Sequence, residues 1–286
     1  WLLKHRLRND LNSVVAFLDL VKAHDKVWRN GLLLKTHQKG LRGHLWHTTR
    51  SQLRKFVRVM DDHGLQLRDD LLRLFDILHG GVAQVAAESP VQFNLCVNDL
   101  IERLKMRGVG VLLAGDIRPG AFFADDVVLI VSDGPGAKQA LRIVTEFCRR
   151  WRLLVSGDNR VKSAVMPIGS PSFRNSISQE SFLCTGASIP STSQCTYLCL
   201  RFSDKLSWGH HITQLLSDIQ SKSRSLAWPC RRHKSMAPRA ALALWNAKVR
   251  PLADYNCEMW SFFVSPSMLK KFDAVLPAFI ASVMGI

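Results

Sequence analysis

Residues 121–130, reading AFFADDVVLI, constrain the fold more than any other stretch of the chain. Two adjacent carboxylates, Asp125 and Asp126, interrupt apolar runs rich in Phe, Val and Ile. Each run is too short and too β-branched for a helix, and the acids fall where a tight turn would. The stretch predicts a buried β-hairpin carrying two acids at its tip. Beside apolar strands, neighbouring carboxylates repel each other and lose solvation, and a bound cation relieves both penalties. Asp-Asp is also a common turn dipeptide, so spacing alone leaves both readings open.

The flanking chain gives the hairpin a setting. Residues 14–20 (VVAFLDL) predict a strand ending near Asp19, with Asp25 six residues beyond. Ser89, Pro90 and Gln92 form a capping box with proline at the first helical position. Phe93, Val97, Leu100, Ile101 and Leu104 then make one apolar stripe, a helix over 90–107 that Gly108 ends. A short strand over 109–114 and a turn over 115–120 lead into the hairpin. Asp133, Gly134 and Pro135 open another helix, in which Leu141, Val144, Phe147, Cys148 and Trp151 share a face. This order predicts an α+β fold, an antiparallel sheet with helices packed on one face. The Ser/Pro/Gly-rich residues 169–196 read as a loop or loosely paired hairpins between two domains. Beyond them come a short strand over 197–202 and helices from 208, over 237–249 and from 266 onward.

Charge narrows the partners. The net charge is +16 and the pI is near 10.0, which favours a polyanion, nucleic acid ahead of acidic membrane. Residues 1–60 hold thirteen Lys or Arg against three Asp. Between Asp218 and Asp254 there is no acid, while Lys222, Arg224, Arg231, Arg232, Lys234, Arg239, Lys248 and Arg250 fall inside. No apolar run approaches the roughly 18 residues of a membrane span. The start, WLLKHRLRND, has no secretory core and opens on Trp, as a fragment would. Seven scattered Cys without a CxxC pair fit reduced thiols in an intracellular compartment, nuclear or cytoplasmic, and no zinc site. His210 and His211, leading a helix, read as solvent-facing. Trp46, Trp151, Trp208, Trp228, Trp245 and Trp260 read as packing residues.

If strand 14–20 lies beside the hairpin, Asp19, Asp125 and Asp126 converge on one sheet edge. Such a cluster suits hard divalent cations, Mg²⁺ first and Mn²⁺ as the alternative. Two ions about 4 Å apart serve in-line phosphoryl transfer.

These residues carry a resemblance. FADD at 123–126 is similar to motif C of the reverse transcriptases of non-LTR, LINE-type retrotransposons. FLDLVKAHDKVWRNGLL from Phe17 resembles motif A, and GVAQVAAESPVQFNLCVNDL from Gly81 resembles motif B, with Gln84, Ser89, Pro90, Phe93 and Asn94 at the family's spacings. FCRRWRLLVSGDNRVKS resembles the motif D region, with Lys162 at the basic position. YLCLRFSDKLSWGHHI and LWNAKVRPLADYNCEMW resemble the segments after the palm. The resemblance spans nearly the whole chain, in order. It implies a polymerase palm over 1–168, a linker and hairpin region over 169–200, and a small basic helical thumb-like domain over 201–286. It further implies RNA-directed DNA synthesis by a primer 3′-hydroxyl attacking a dNTP. Asp19, Asp125 and Asp126 would be the catalytic, Mg²⁺-binding acids, two ions in all. His24, Gln84 and Lys162 would face the incoming nucleotide. Lys222, Arg224, Arg231, Arg232 and Lys234 would track an RNA template and DNA primer through phosphate contacts.

The chain departs from the family in places. Little precedes motif A where the fingers would lie, and Lys4, Arg6 and Arg8 do not replace them. His24 stands where the family has an aromatic sugar gate, Val85 follows Gln84 in place of Gly, and Cys199 replaces the Gly of Tyr-Leu-Gly. These losses keep a second reading open, a catalytically inactive retroelement remnant that only binds RNA or DNA.

Overall fold

Two apolar runs, VVAFL at 14–18 and VVLIV at 127–131, become neighbouring central strands of a four-stranded antiparallel sheet. The computed structural model describes residues 2–21, 23–53, 89–157, 163–232 and 238–284. The chain divides into two units, Trp1–Cys195 and Thr196–Ile286.

The first unit runs α1 (Leu2–Arg8), β1 (Ser13–Asp19), α2 (Ala23–Lys26), α3 (Arg29–Gln38), α4 (Gly43–Leu53), α5 (Ser89–Met106), β2 (Val111–Leu113) and β3 (Asp116–Arg118). It continues with β4 (Gly120–Phe123), β5 (Asp126–Val131), α6 (Gly134–Trp151), β6 (Ala164–Ile168), α7 (Pro171–Ser178), β7 (Phe182–Cys184) and β8 (Ala187–Ile189). The main sheet has the order β4-β5-β1-β6, every pairing antiparallel. Alternation sends Val14, Ala16 and Leu18 of β1, with Val127, Leu129 and Val131 of β5, into the core shared with α5 and α6. The opposite face is buried as well, through Val15, Phe17, Val128 and Met166. Uninterrupted apolar runs of this kind are what strands covered on both faces require.

The helices follow their local signals. Asp133 caps α6 by accepting the Gly136 N–H at 2.7 Å, and the predicted stripe from Leu141 to Trp151 is buried. The predicted stripe of α5 is likewise buried at Phe93, Val97, Leu100 and Leu104. Lys35 of α3 is buried between these helices, its Nζ 2.9 Å from Asp99 and 2.7 Å from the Cys96 carbonyl oxygen, and 5.0 Å from the centre of a Trp151 ring. Burial lowers its pKa, and the hydrogen bond and charge of Asp99 oppose the shift. At the start of the sheet, the buried Arg6 guanidinium donates to Ser13 Oγ (2.8 Å), the Asn12 carbonyl (2.7 Å) and Ser132 Oγ (3.1 Å). It ties the entry of β1 to the exit of β5. Gly120 has φ 156°, and a Cβ there would collide with the Val128 carbonyl oxygen, so the hairpin needs glycine at that point.

Several expectations are revised. Of residues 169–200, expected as a linker and hairpin region between two domains, most are not linker: α7, capped by Ser170 with Pro171 at its start, and the β7–β8 hairpin belong to the first unit, and the division into two units falls only at 195/196. Phe182, Cys184 and Ile189 pack into the first unit's core, which explains why so polar a stretch is ordered. Only Ala114 and Gly115 turn between β2 and β3, because 116–118 pair back as a strand.

The second unit begins within β9 (Gln194–Tyr197), which pairs with β10 (Leu200–Ser203) as a hairpin where one strand over 197–202 was predicted. Then come α8 (Gly209–Arg232), α9 (Pro238–Lys248), α10 (Arg250–Asp254), α11 (Cys257–Trp260), a 3₁₀ turn (Ser261–Phe263), α12 (Pro266–Asp273) and α13 (Val275–Met284). Its core gathers Leu200, Trp208, Ile212, Leu215, Leu216, Ile219, Val249, Trp260 and Val275. His211 is buried in this core and not solvent-facing, wedged between Trp208 and Trp260. Trp228 is the converse, 63% exposed where packing was predicted. No helix among the described residues is long and apolar enough to cross a membrane. The α+β architecture, an antiparallel sheet with packed helices followed by a helical unit, is the one the motifs implied.

Candidate active site

The pairing register decides what the acids can do together. Asp19, the last residue of β1, lies directly opposite Asp126, the first residue of β5. Directly opposed residues of antiparallel strands project to the same face, with Cβ atoms about 4.5–5.5 Å apart. Alternation from Leu18 and Val127, which enter the helix-side core, sends Asp19 and Asp126 to the other face. Asp125 occupies the two-residue turn with Ala124, whose φ is 50°. The Asp125 carbonyl accepts the Leu20 N–H at 3.3 Å, drawing the turn against the end of β1. All three carboxylates are half-buried at one end of the sheet.

That end is pinned by a segment from much later in the chain. The Asp19 N–H donates to Ser163 Oγ at 3.1 Å, and the Asp19 carbonyl accepts the Ser156 N–H at 2.8 Å. Leu20 bridges to Val155, and the Val21 N–H donates to the Leu154 carbonyl at 2.8 Å. The backbone carrying Asp19 is therefore held from both sides. Residues 158–162 connect these two anchors, so Lys162 is covalently next to the serine that touches Asp19. The sequence reading missed Ser163 and Ser156, because a hydroxyl or amide that orients a backbone has no periodicity or composition to mark it.

His24 lies on α2, in the turn after β1, and its side chain is outside the described residues. Gln84, Val85, Lys162 and Lys234 are outside the described residues altogether, as are the side chains of Ser89, Arg231 and Arg232. Lys222 and Arg224 are exposed on α8, in the second unit. Among the described residues, no three His, Cys, Asp or Glu side chains gather closely enough to form a metal-binding group. The backbone thus supplies a facing carboxylate pair and a third acid in the adjoining turn, all oxygen donors of the type hard cations take. Their side chains do not stand in a closed ligand set.

No family model matches the chain. It is 24% identical over 260 residues to "Probable RNA-directed DNA polymerase from transposon BS" of Drosophila melanogaster, a match covering 85% of this chain and 26% of that protein. The chain thus spans about a quarter of that relative's length. A solved structure of telomerase from Candida albicans, in complex with a fragment of telomeric RNA, aligns with a TM-score of 0.40 and 13% identity over 98% of this chain and 46% of that one. The expected kinship with a transposon RNA-directed DNA polymerase is borne out by the Drosophila relative.

Proposed function

We propose that this chain is the polymerase core of a reverse transcriptase of the non-LTR, LINE-type branch, extending a DNA primer with dNTPs on an RNA template. The observation that carries the reading is the placement of Asp19 directly opposite Asp126, with Asp125 in the adjoining turn. The order of four motifs and the transposon relative support it. Asp19, Asp125 and Asp126 would hold two Mg²⁺ ions, which when bound polarise the attacking hydroxyl and neutralise the leaving pyrophosphate. The chain itself contributes position. Ser163 and Ser156 fix the Asp19 backbone, and the Leu20–Asp125 hydrogen bond fixes the turn, so the carboxylates are placed before substrate arrives. Lys162, His24 and Gln84 would face the incoming nucleotide, as the motif resemblance implies. The setting is an intracellular one, nuclear or cytoplasmic, where primer, template and dNTPs coexist.

Mg²⁺-dependent incorporation of labelled dNTP on a primed RNA template, abolished by EDTA and restored by Mg²⁺ or Mn²⁺, is the result this reading requires. Absence of incorporation by a folded chain that still binds the primed template contradicts it. One observation favours the second reading, a non-catalytic nucleic-acid-binding remnant: Cys199 holds a φ of 61° where a glycine would sit without cost. A site under selection for a well-formed turn keeps glycine there.

A further inference from the structure

A groove of about 360 Å³ lies in the second unit between α8 and the α12–α13 pair. Gln220, Arg224 and Ala227 on one wall recur at the helical spacing that puts them on one face of α8. Lys271, Ala274 and Ala278 form the other wall. Alanines leave the space open, and Ala274 and Ala278 are exposed to it. Arg224 and Lys271 are both exposed, and neither has an ion-pair partner among the described residues. Two uncompensated cations on opposite walls make a strip of positive potential, in a unit with twelve Lys and Arg against five Asp and Glu. One helical turn beyond Arg224, the Trp228 indole is 63% exposed.

We propose that this groove binds a single strand of nucleic acid, with a phosphodiester between Arg224 and Lys271 and a base stacked on Trp228. A cation-lined channel beside an aromatic face is the arrangement that holds unpaired strands, because every base offers a π-face while the phosphates meet the charge. A volume of about 360 Å³ is on the scale of a single nucleotide. An acidic peptide would satisfy the cations but offers no flat π-face to the exposed indole. The inference rests on the reading that the chain works on nucleic acid, yet it concerns binding and is measured without catalysis.

The test is fluorescence anisotropy of the full chain with a labelled oligothymidylate, a duplex of equal length and a poly-glutamate peptide. The groove predicts that filling it or removing its aromatic face weakens binding of the single strand more than binding of the duplex. Ala278→Leu fills the groove at constant charge and should weaken single-strand binding about tenfold, as should Trp228→Ala. Lys271→Glu should weaken it further. Lys205→Glu makes the same charge change on an exposed residue outside the groove and should cost at most about twofold. Circular dichroism confirms that each variant is folded. Wild-type affinity in Ala278→Leu and Trp228→Ala, with equal losses in Lys271→Glu and Lys205→Glu, overturns the groove in favour of diffuse charge. Tighter binding of the peptide than of the oligonucleotide overturns it too. A wild-type chain that binds the oligonucleotide in the groove but extends no primer supports the groove and counts only against the polymerase reading.

Discussion

The backbone N–H of Asp19 donates to the hydroxyl of Ser163 at 3.1 Å, although 144 residues separate them in sequence. Ser163 is buried, so the bond is shielded from water and its loss leaves an amide unsatisfied. Ser163→Ala should lower stability by about 1 kcal/mol in a denaturant titration. It should also lower primer extension more than the unfolded fraction explains, with Ser163→Thr restoring much of it. Extension unchanged in a folded Ser163→Ala chain contradicts a positioning role for this hydroxyl.

Three hairpins close on two-residue turns with both central residues at positive φ: Ala114-Gly115, Thr185-Gly186 and Leu198-Cys199. This is the type I′ pattern, which favours glycine at the second position. Two of the turns have it, and the third places Cys199 at φ 61°. A left-handed conformation costs a residue with a Cβ roughly 1–2 kcal/mol. Cys199→Gly should therefore raise the unfolding free energy by about 1 kcal/mol after the entropy glycine returns to the unfolded chain, and the denaturation midpoint with it. A fall in the midpoint contradicts the turn geometry.

His211 makes the second unit sensitive to acid. Its ring centre lies 5.7 Å from that of Trp208 and 5.8 Å from that of Trp260. Nδ1 accepts the Arg201 N–H at 3.4 Å, and Nε2 has no hydrogen-bond partner among the described residues. Burial first, then the charges of Arg201 and His210, hold its pKa below the ordinary 6.5, against the pull of Asp218. The unfolded chain takes up this proton near pH 6.5 while the folded chain refuses it. The stability that depends on neutral His211 is full above pH 6.5 and is lost as pH falls from there through the folded pKa. Denaturant midpoints followed down from about pH 8 should fall across that window. His211→Phe should flatten the slope, and an unaltered slope in that variant contradicts the assignment.

Arg6 is a clamp on the sheet and not a substitute for an upstream triphosphate grip. Its three hydrogen bonds span Asn12, Ser13 and Ser132, at the end of the sheet away from the acids. Arg6→Lys cannot reproduce the planar fork and should cost about 2 kcal/mol. The apparent Kd for dNTP in the folded fraction should be unchanged. A selective rise in that constant, without loss of stability, would reassign Arg6 to the substrate.

Much of this was legible in the residues themselves. The hairpin at 120–131, strand β1 and helices α5 and α6 announce themselves through long apolar patterns, capping residues and glycine. Residues 182–189 do not, because strands of three residues show too few positions for alternation to register. Leu198 and Cys199 read as strand, since neither is a turn former and only the fold drives them to positive φ. His211 looked polar and terminal, and its burial is set by Trp208 and Trp260, one of them 49 residues away. At the site, the acids could be named but their opposition could not. Register between β1 and β5 is a long-range choice, fixed by which apolar set faces α5 and α6, and one residue of slip would put Asp19 and Asp126 on different faces.

The central claim is that Asp19 and Asp126 act as a facing pair. Its most direct test compares Asp19→Asn, Asp126→Asn and the double variant in Mg²⁺-dependent primer extension on RNA, with primed-template affinity measured in parallel. Neutralising either acid should reduce extension at least about 1,000-fold, since electrostatic stabilisation of the transition state depends on the charge. The double variant should be little worse than either single one, as residues acting as a unit behave. Template affinity should be unchanged. Extension that survives Asp19→Asn or Asp126→Asn at wild-type rates would contradict the account.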